Sequence, residues 1–387
     1  MESKDRKSNK LQYVSGTIFE PGTKPFRGYL GWRNGSIVEV NHGTPPVEPI
    51  ANGIITPLFV NGHTHIGDSI LAGRIDTTLG LEEIVSPPDG IKHRLLGKTS
   101  DSEIIRGMMD SMGKMAASGT YGFLDFREGG MHGARLLADA YKRFSREKTN
   151  GSGISTPFVF SRPSKLNYDR DEVAKLLENS AGIGISAMRD WEYPELEKVA
   201  CHVHRKGKFL AMHASESVRE DIDAILDLKP DILVHLCSAT SPDLERVADA
   251  GVQVVICPQS NSLFGLRSDI PLMMELDIPL TLGTDNLMFT PPDIFGTMKF
   301  VNQLYKDSQR RDKKNISADE TISMCGHRMK KLLNVKSGVS PNETAGFMVV
   351  PNQETDLLKT AQSIIWAEKP SLIVSGIYHL KITPGGR

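Results

Sequence analysis

Cysteine is scarce in this chain: there are four among 387 residues, Cys201, Cys237, Cys257 and Cys325, with no CxxC pair and no framework spacing. That excludes a disulfide scaffold and a cysteine-rich zinc module, and it is the pattern of reduced thiols in a cytoplasmic protein. An excess of one charge is also lacking. Lys+Arg number 46 and Asp+Glu 47, a formal net charge of -1, so no basic field points to nucleic acid or an anionic membrane. No apolar run approaches the roughly 18 residues of a membrane span. The opening MESKDRKSNK has no apolar stretch of the kind a secretory signal needs. Glycine-rich strand-to-helix turns are missing too, which removes dinucleotide-binding and P-loop folds. What is left is a soluble cytoplasmic protein with ordinary apolar (39%) and charged (24%) content, long enough for one large barrel and a small accessory domain. A small molecule is the expected partner, with no nucleic acid and no membrane; assembly into a homo-oligomer stays open.

From about residue 54 short apolar runs alternate with longer amphipathic stretches. Eight runs stand out: 54–60 (IITPLFV), 120–126, 155–161, 182–188, 209–213, 231–235, 252–258 and 279–285 (PLTLGTD). Each is short and non-alternating, as strands buried on both faces are. Helical patterns separate them at 101–117, 133–147, 169–179, 192–206, 216–228, 242–250 and 293–306, with Ser100 and Asp101 as cap candidates and Ser241-Pro242 as an N-cap followed by an N1 proline. The alternation predicts an α/β fold, a (β/α)8 TIM barrel over 54–335. The ends read differently: runs in 11–53 and GFMVVP, SIIWA and LIVSGIYHLKI in 344–382 are strand-like, so residues 1–53 and 336–387 are expected to form a small composite β-sandwich domain. Segment 317–333 reads as a linking helix and KDSQRRDKK (306–314) as a solvated loop.

Barrels of this kind carry their chemistry at the carboxyl ends of the strands. Those ends hold His63 and His65 after strand 1, His213 and Glu216 after strand 5, His235 after strand 6 and Asp285 after strand 8. Three imidazoles and one carboxylate, from His63, His65, His213 and Asp285, suit a single divalent ion, Zn2+ or alternatively Fe2+, with a position left for water. In an extended segment residues i and i+2 point the same way, so His63 and His65 can reach one ion. A second His-x-His pair, His202 and His204, lies in a helical stretch where i and i+2 diverge, and is read as packing.

The ordered set HTH, HASE, a strand 6 His, CPQSN and LGTDN at successive strand ends resembles the amidohydrolase superfamily, over nearly the whole chain. HASE with CPQSN is most similar to its mononuclear branch of cytosine, guanine and adenosine-type deaminases and chlorohydrolases. Strand 4 (GIGISAMRD) lacks the lysine that bridges two metals in binuclear relatives, so the resemblance implies one ion. It also implies ligation by His63, His65, His213 and Asp285, proton transfer by Glu216 and a polarising His235.

Ion-bound water would be acidic enough to yield hydroxide near neutral pH. Glu216, read as opening the helix after strand 5, would take its proton, while His235 and Asp285 orient the nucleophile. Arg127, Arg162 and Arg189 follow strands 2, 3 and 4, and guanidinium forks suit phosphate or carboxylate, so an anionic heterocycle is the expected substrate. His132 and Trp191 are further candidates for the pocket wall, with Asp68 and Asn261 weaker ones. The expected reaction is hydrolytic deamination; the alternative is opening of a cyclic amide or imide, as imidazolonepropionase does, and release of ammonia separates the two.

Overall fold

The computed structural model describes residues 10–147, 155–305, 315–335, 337–352 and 356–375. The solvated loop expected at 306–314 and the end of the strand run beyond Ser375 lie outside these residues.

Nine parallel strands form one sheet: Phe59–His65, Thr120–Arg127, Thr156–Ser161, Gly182–Ile185, Phe209–Ala214, Ile232–His235, Gln253–Ile256, Leu280–Leu282 and Asp285–Asn286. Leu280–Leu282 lies at one edge beside Gln253–Ile256, and Asp285–Asn286 at the other beside Phe59–His65. Only Gly283 and Thr284 part these two segments, so the sheet curls back on itself into a TIM-barrel-like domain. The joint is held by Gly283 N–H donating to Ile256 O (2.9 Å) and Thr284 N–H to His63 O (3.2 Å). Strands such as Ile232–His235 and Gln253–Ile256 are buried throughout, which is why they read as continuous apolar runs.

Gly283 is required by this closure. A Cβ there would stand 2.9 Å from both the backbone nitrogen and the Cβ of His63. Gly283→Ala is therefore expected to lower stability by about 1–3 kcal/mol through overpacking, measured from the urea midpoint; an unchanged midpoint would show that the joint yields.

Helices cover the outside, starting where side chains satisfy their first N–H groups. Ser100 and Glu103 form a capping box on Asp101–Ala117. Thr240, not Ser241, caps Ser241–Ala250 by the same device with Asp243.

Strands from both ends of the chain pair into a separate seven-stranded sheet: Gln12–Ile18, Phe26–Arg33, Ser36–His42, Asn52–Pro57, Ser337–Gly338, Thr344–Val350 and Leu372–Ser375. Thr344–Val350 meets Asn52–Pro57 through residues 347–350 and Ser36 through Thr344. The pairings thus run through one curled sheet around Val14, Leu30, Trp32, Ile37 and Phe347, where two facing sheets of a sandwich were expected. Three other expectations are corrected. The run 54–60 is not one strand: Asn52–Pro57 belongs to the terminal sheet, and the first barrel strand begins at Phe59. SIIWA is not a strand: its first four residues lie in the helix Thr360–Trp366 and Ala367 ends it. The segment 216–228 is helical only over Ile222–Asp227, so Glu216 stands on a loop and owes nothing to a helix end.

Candidate metal centre and active site

The strand ends bring four of the expected side chains to one point. Ligand atoms of His63, His213, His235 and Asp285 all lie within 4.8 Å of one another. His63 Nε2 is 3.1 Å from His213 Nε2 and 3.3 Å from Asp285 Oδ1, and His65 Nε2 is 3.6 Å from the same Asp285 oxygen. His235 thus enters the group ahead of His65, whose second nitrogen faces elsewhere. His202 and His204 stay away: on the helix Tyr193–Arg205 they meet Tyr168 Oη and Leu228 O.

A hydrogen bond sets the protonation of the His213 ring. His213 Nδ1 lies 3.0 Å from Ile185 O, and a carbonyl only accepts, so Nδ1 carries the proton and Nε2 presents its lone pair to the cluster. Asn261 Nδ2 donates to Glu216 Oε1 (3.3 Å), and the same side chain meets His235 Nδ1, with Nδ2 at 3.1 Å and Oδ1 at 3.3 Å. His235 Nε2 faces the site, 3.5 Å from Glu216 Oε1. Burial pushes His65 and His213 well below the ordinary imidazole range, and lowers His235 as well, so these rings are neutral donors. Burial alone would raise Asp285, but the His63 hydrogen bond and the surrounding imidazoles hold it well below the carboxylate range. Ser260 Oγ donates to Asp285 Oδ2 at 2.6 Å and Asn286 Nδ2 to Oδ1 at 3.3 Å. Neutral nitrogens aimed at an ionised carboxylate are the donor set that a divalent ion such as zinc takes.

The backbone bends sharply to achieve this. Ser215, His235 and Asp285 adopt left-handed conformations, at φ 46°, 79° and 62°, each costing on the order of 1–3 kcal/mol and held by its surroundings. Ser215 N–H donates to Glu220 Oε2, Ser238 N–H donates to Ser215 O, and Ser238 Oγ donates to Glu216 O. Those bonds fix Glu216 at the pocket wall. Desolvation, with the Asp285 charge second, pushes its carboxyl up to about 8.

A second buried group adjoins the first. Lys92, on the short helix Ile91–Leu96, places Nζ 2.9 Å from Glu128 Oε1 and 3.0 Å from Asp68 Oδ2. Arg162 Nη1 is 3.1 Å from the same Glu128 oxygen, and His65 Nδ1 is 3.7 Å from it. Burial would lower the Lys92 ammonium, but Asp68 and Glu128 outweigh it and hold it above the usual value. Burial pushes Asp68 up to about 6, whereas Lys92 and Arg162 overcome the same penalty at Glu128 and hold it well below its usual range.

The pocket joining both groups is lined by Lys92, Glu128, Arg162, Arg189 and Glu216, among others. The expected wall residues divide accordingly. Arg162 and Arg189 line it, with Arg189 Nη2 3.0 Å from Glu82 Oε1 and 3.2 Å from Ser217 Oγ. Arg127 does not reach it: the side chain is buried behind strand 2, donating through Nε to Glu128 O and lying 3.7 Å from Asp125 Oδ2. Asp125 in turn accepts from Thr64 Oγ1 and Ile66 N–H, so this pair braces the His-x-His turn. His132 is exposed on the outer face, bonded to Asp101 and Arg135. Trp191 is packed in the hydrophobic core. Lys92 escaped sequence reasoning because nothing in its local pattern marks a buried cation. Ser260 and Asn286 were within reach, since both sit in the CPQSN and LGTDN motifs.

Comparison with known proteins agrees with this geometry. Residues 54–365 match the amidohydrolase family model. A Methanothermobacter thermautotrophicus protein named "Putative aminohydrolase" is 32% identical over 324 residues, 78% of this chain and 82% of its own length. The fold is shared with an adenosine deaminase from Xanthomonas campestris with bound zinc, at TM-score 0.72 and 16% identity over 96% of this chain and 94% of that one. It is shared as well with a guanine deaminase from C. acetobutylicum with bound guanine, at TM-score 0.71 and 13% identity over 94% and 99% of the two chains. From the match over most of its length, and from the histidine–carboxylate cluster at the strand ends, the chain belongs to the amidohydrolase family.

Proposed function

We propose that this chain is a hydrolytic deaminase of an aminated heterocycle, working with one divalent ion, zinc or iron, held by His63, His65, His213 and Asp285 with His235 beside them. The observation that carries the reading is Glu216, a partly exposed carboxyl at the pocket wall, 3.5 Å from His235 Nε2 and bonded to Asn261. The ion, when bound, supplies a water acidic enough to give up a proton near neutrality. With a cation bound beside it the Glu216 carboxyl would be ionised. It would accept that proton and return it to the ring nitrogen next to the carbon under attack, and a second transfer, of the remaining hydroxyl proton, would let the exocyclic amine leave as ammonia. Asp285, held by Ser260, orients the attacking oxygen, and His235 faces the developing oxyanion. Deaminases of adenosine and guanine among the structures with the same fold support the reaction class.

Arg162 and Arg189 at the pocket wall support a substrate with a carboxylate or phosphate group. Incubating the metal-loaded chain with purines, pyrimidines and pterins, each with and without an anionic substituent, and measuring ammonia tests both points. Ammonia is expected from anionic members. Turnover of neutral bases alone would remove the charge requirement, and ring opening without ammonia would replace deamination by cyclic amide hydrolysis.

A further inference from the structure

His65 has two faces, and the second opens on a cluster that the deamination chemistry leaves unused. Ligand atoms of His65, Asp68 and Glu128 lie within 4.8 Å of one another, and all three residues are buried. Such a trio, one imidazole and two carboxylates, is a donor set for a divalent ion. Three of its polar atoms have no hydrogen-bond partner: His65 Nδ1, Asp68 Oδ1 and Glu128 Oε2. Buried carboxylates left in this state are costly unless a cation sits among them. A cation does sit there, since Lys92 Nζ is 3.0 Å from Asp68 and 2.9 Å from Glu128.

We infer that His65, Asp68 and Glu128 form a second cation site whose resident cation is the Lys92 ammonium, and that this ammonium holds the centre to one metal ion. The inference rests on the metal reading of the first cluster, because His65 is common to both. One ring nitrogen, Nε2, faces Asp285 and the other, Nδ1, faces Glu128. Lys92 comes from a short helix outside the barrel strands, so removing its side chain empties the site without touching any strand. With the ammonium gone, the Asp68 and Glu128 carboxylates face a cation-sized space beside Arg162, which stays 3.1 Å from Glu128 Oε1. A small divalent ion can enter between the carboxylates, taking His65 Nδ1 as well where that nitrogen gives up its proton to solvent.

The experiment is the metal-to-protein ratio after exposure to excess zinc chloride and removal of free ion, on chains whose fold is checked by circular dichroism. Wild type is expected at one, Lys92→Ala at two, Lys92→Arg at one because the charge is kept, and Lys92→Ala with Asp68→Asn back at one. A folded Lys92→Ala chain that stays at one overturns the inference and leaves the first site standing. A wild-type chain that takes up no zinc overturns the metal reading itself. If Lys92→Ala does not fold, Asp68→Asn in the wild-type background decides: it removes a partner of an ammonium, so the ratio stays at one. A wild-type ratio of two that falls to one in Asp68→Asn would show a metal where the ammonium is placed, and would overturn the inference.

Discussion

Glu216→Gln lowers kcat by about 10²–10⁴-fold while the metal content of the chain stays at the wild-type level. The substitution is nearly isosteric, and a glutamine oxygen can still accept from Asn261 Nδ2, which now bonds Glu216 Oε1 at 3.3 Å. What disappears is the carboxylate to which the proposed mechanism assigns the proton transfer. Glu216 is not among the residues whose ligand atoms gather within 4.8 Å of one another, so metal content is expected to stay unchanged. Steady-state kinetics beside metal analysis separate the two effects. Retained turnover would remove Glu216 from the chemistry, and lost metal would make it a ligand.

The second large effect belongs to Asp285. Its carboxylate is the anionic member of the first cluster, 3.3 Å from His63 Nε2 and 3.6 Å from His65 Nε2. Asp285→Asn is expected to cut metal affinity by more than the roughly 10–100-fold that loss of a group bonded behind a ligand costs, and to abolish activity with it. Ser260→Ala is the internal comparison: Ser260 donates to the far oxygen of the same carboxylate, so its loss should fall within that smaller range. Competition with a chelating dye measures both. Equal, small losses would show that Asp285 orients water and does not hold the ion.

The first cluster is legible in the sequence because barrel topology turns sequence position into spatial position. A residue that ends a buried parallel strand must face the carboxyl rim, so the order of strands alone brings His63, His213, His235 and Asp285 together. The second cluster is not legible. Lys92 is brought beside Glu128 and Asp68 by the fold of the segment after the first strand, and nothing periodic in that segment records it. Arg127 shows the same limit from the other side. It follows a strand end like Arg162, yet it turns behind the strand toward Asp125, and the sequence does not say which way a long side chain goes. Among the fold expectations, SIIWA and IITPLFV failed for separate reasons. A five-residue, mostly apolar run such as SIIWA fits a buried helix as well as a strand. In IITPLFV one unbroken apolar run serves two sheets, with the break falling between Pro57 and Phe59.

The most direct test of the central claim needs no substrate: the metal content of the purified chain compared with that of a His63→Ala/His213→Ala double variant. These two imidazoles face each other at 3.1 Å inside the cluster. One divalent ion per wild-type chain and almost none in the double variant is the predicted result. A wild-type chain that binds no divalent ion, or a folded double variant that keeps its full complement, would contradict it.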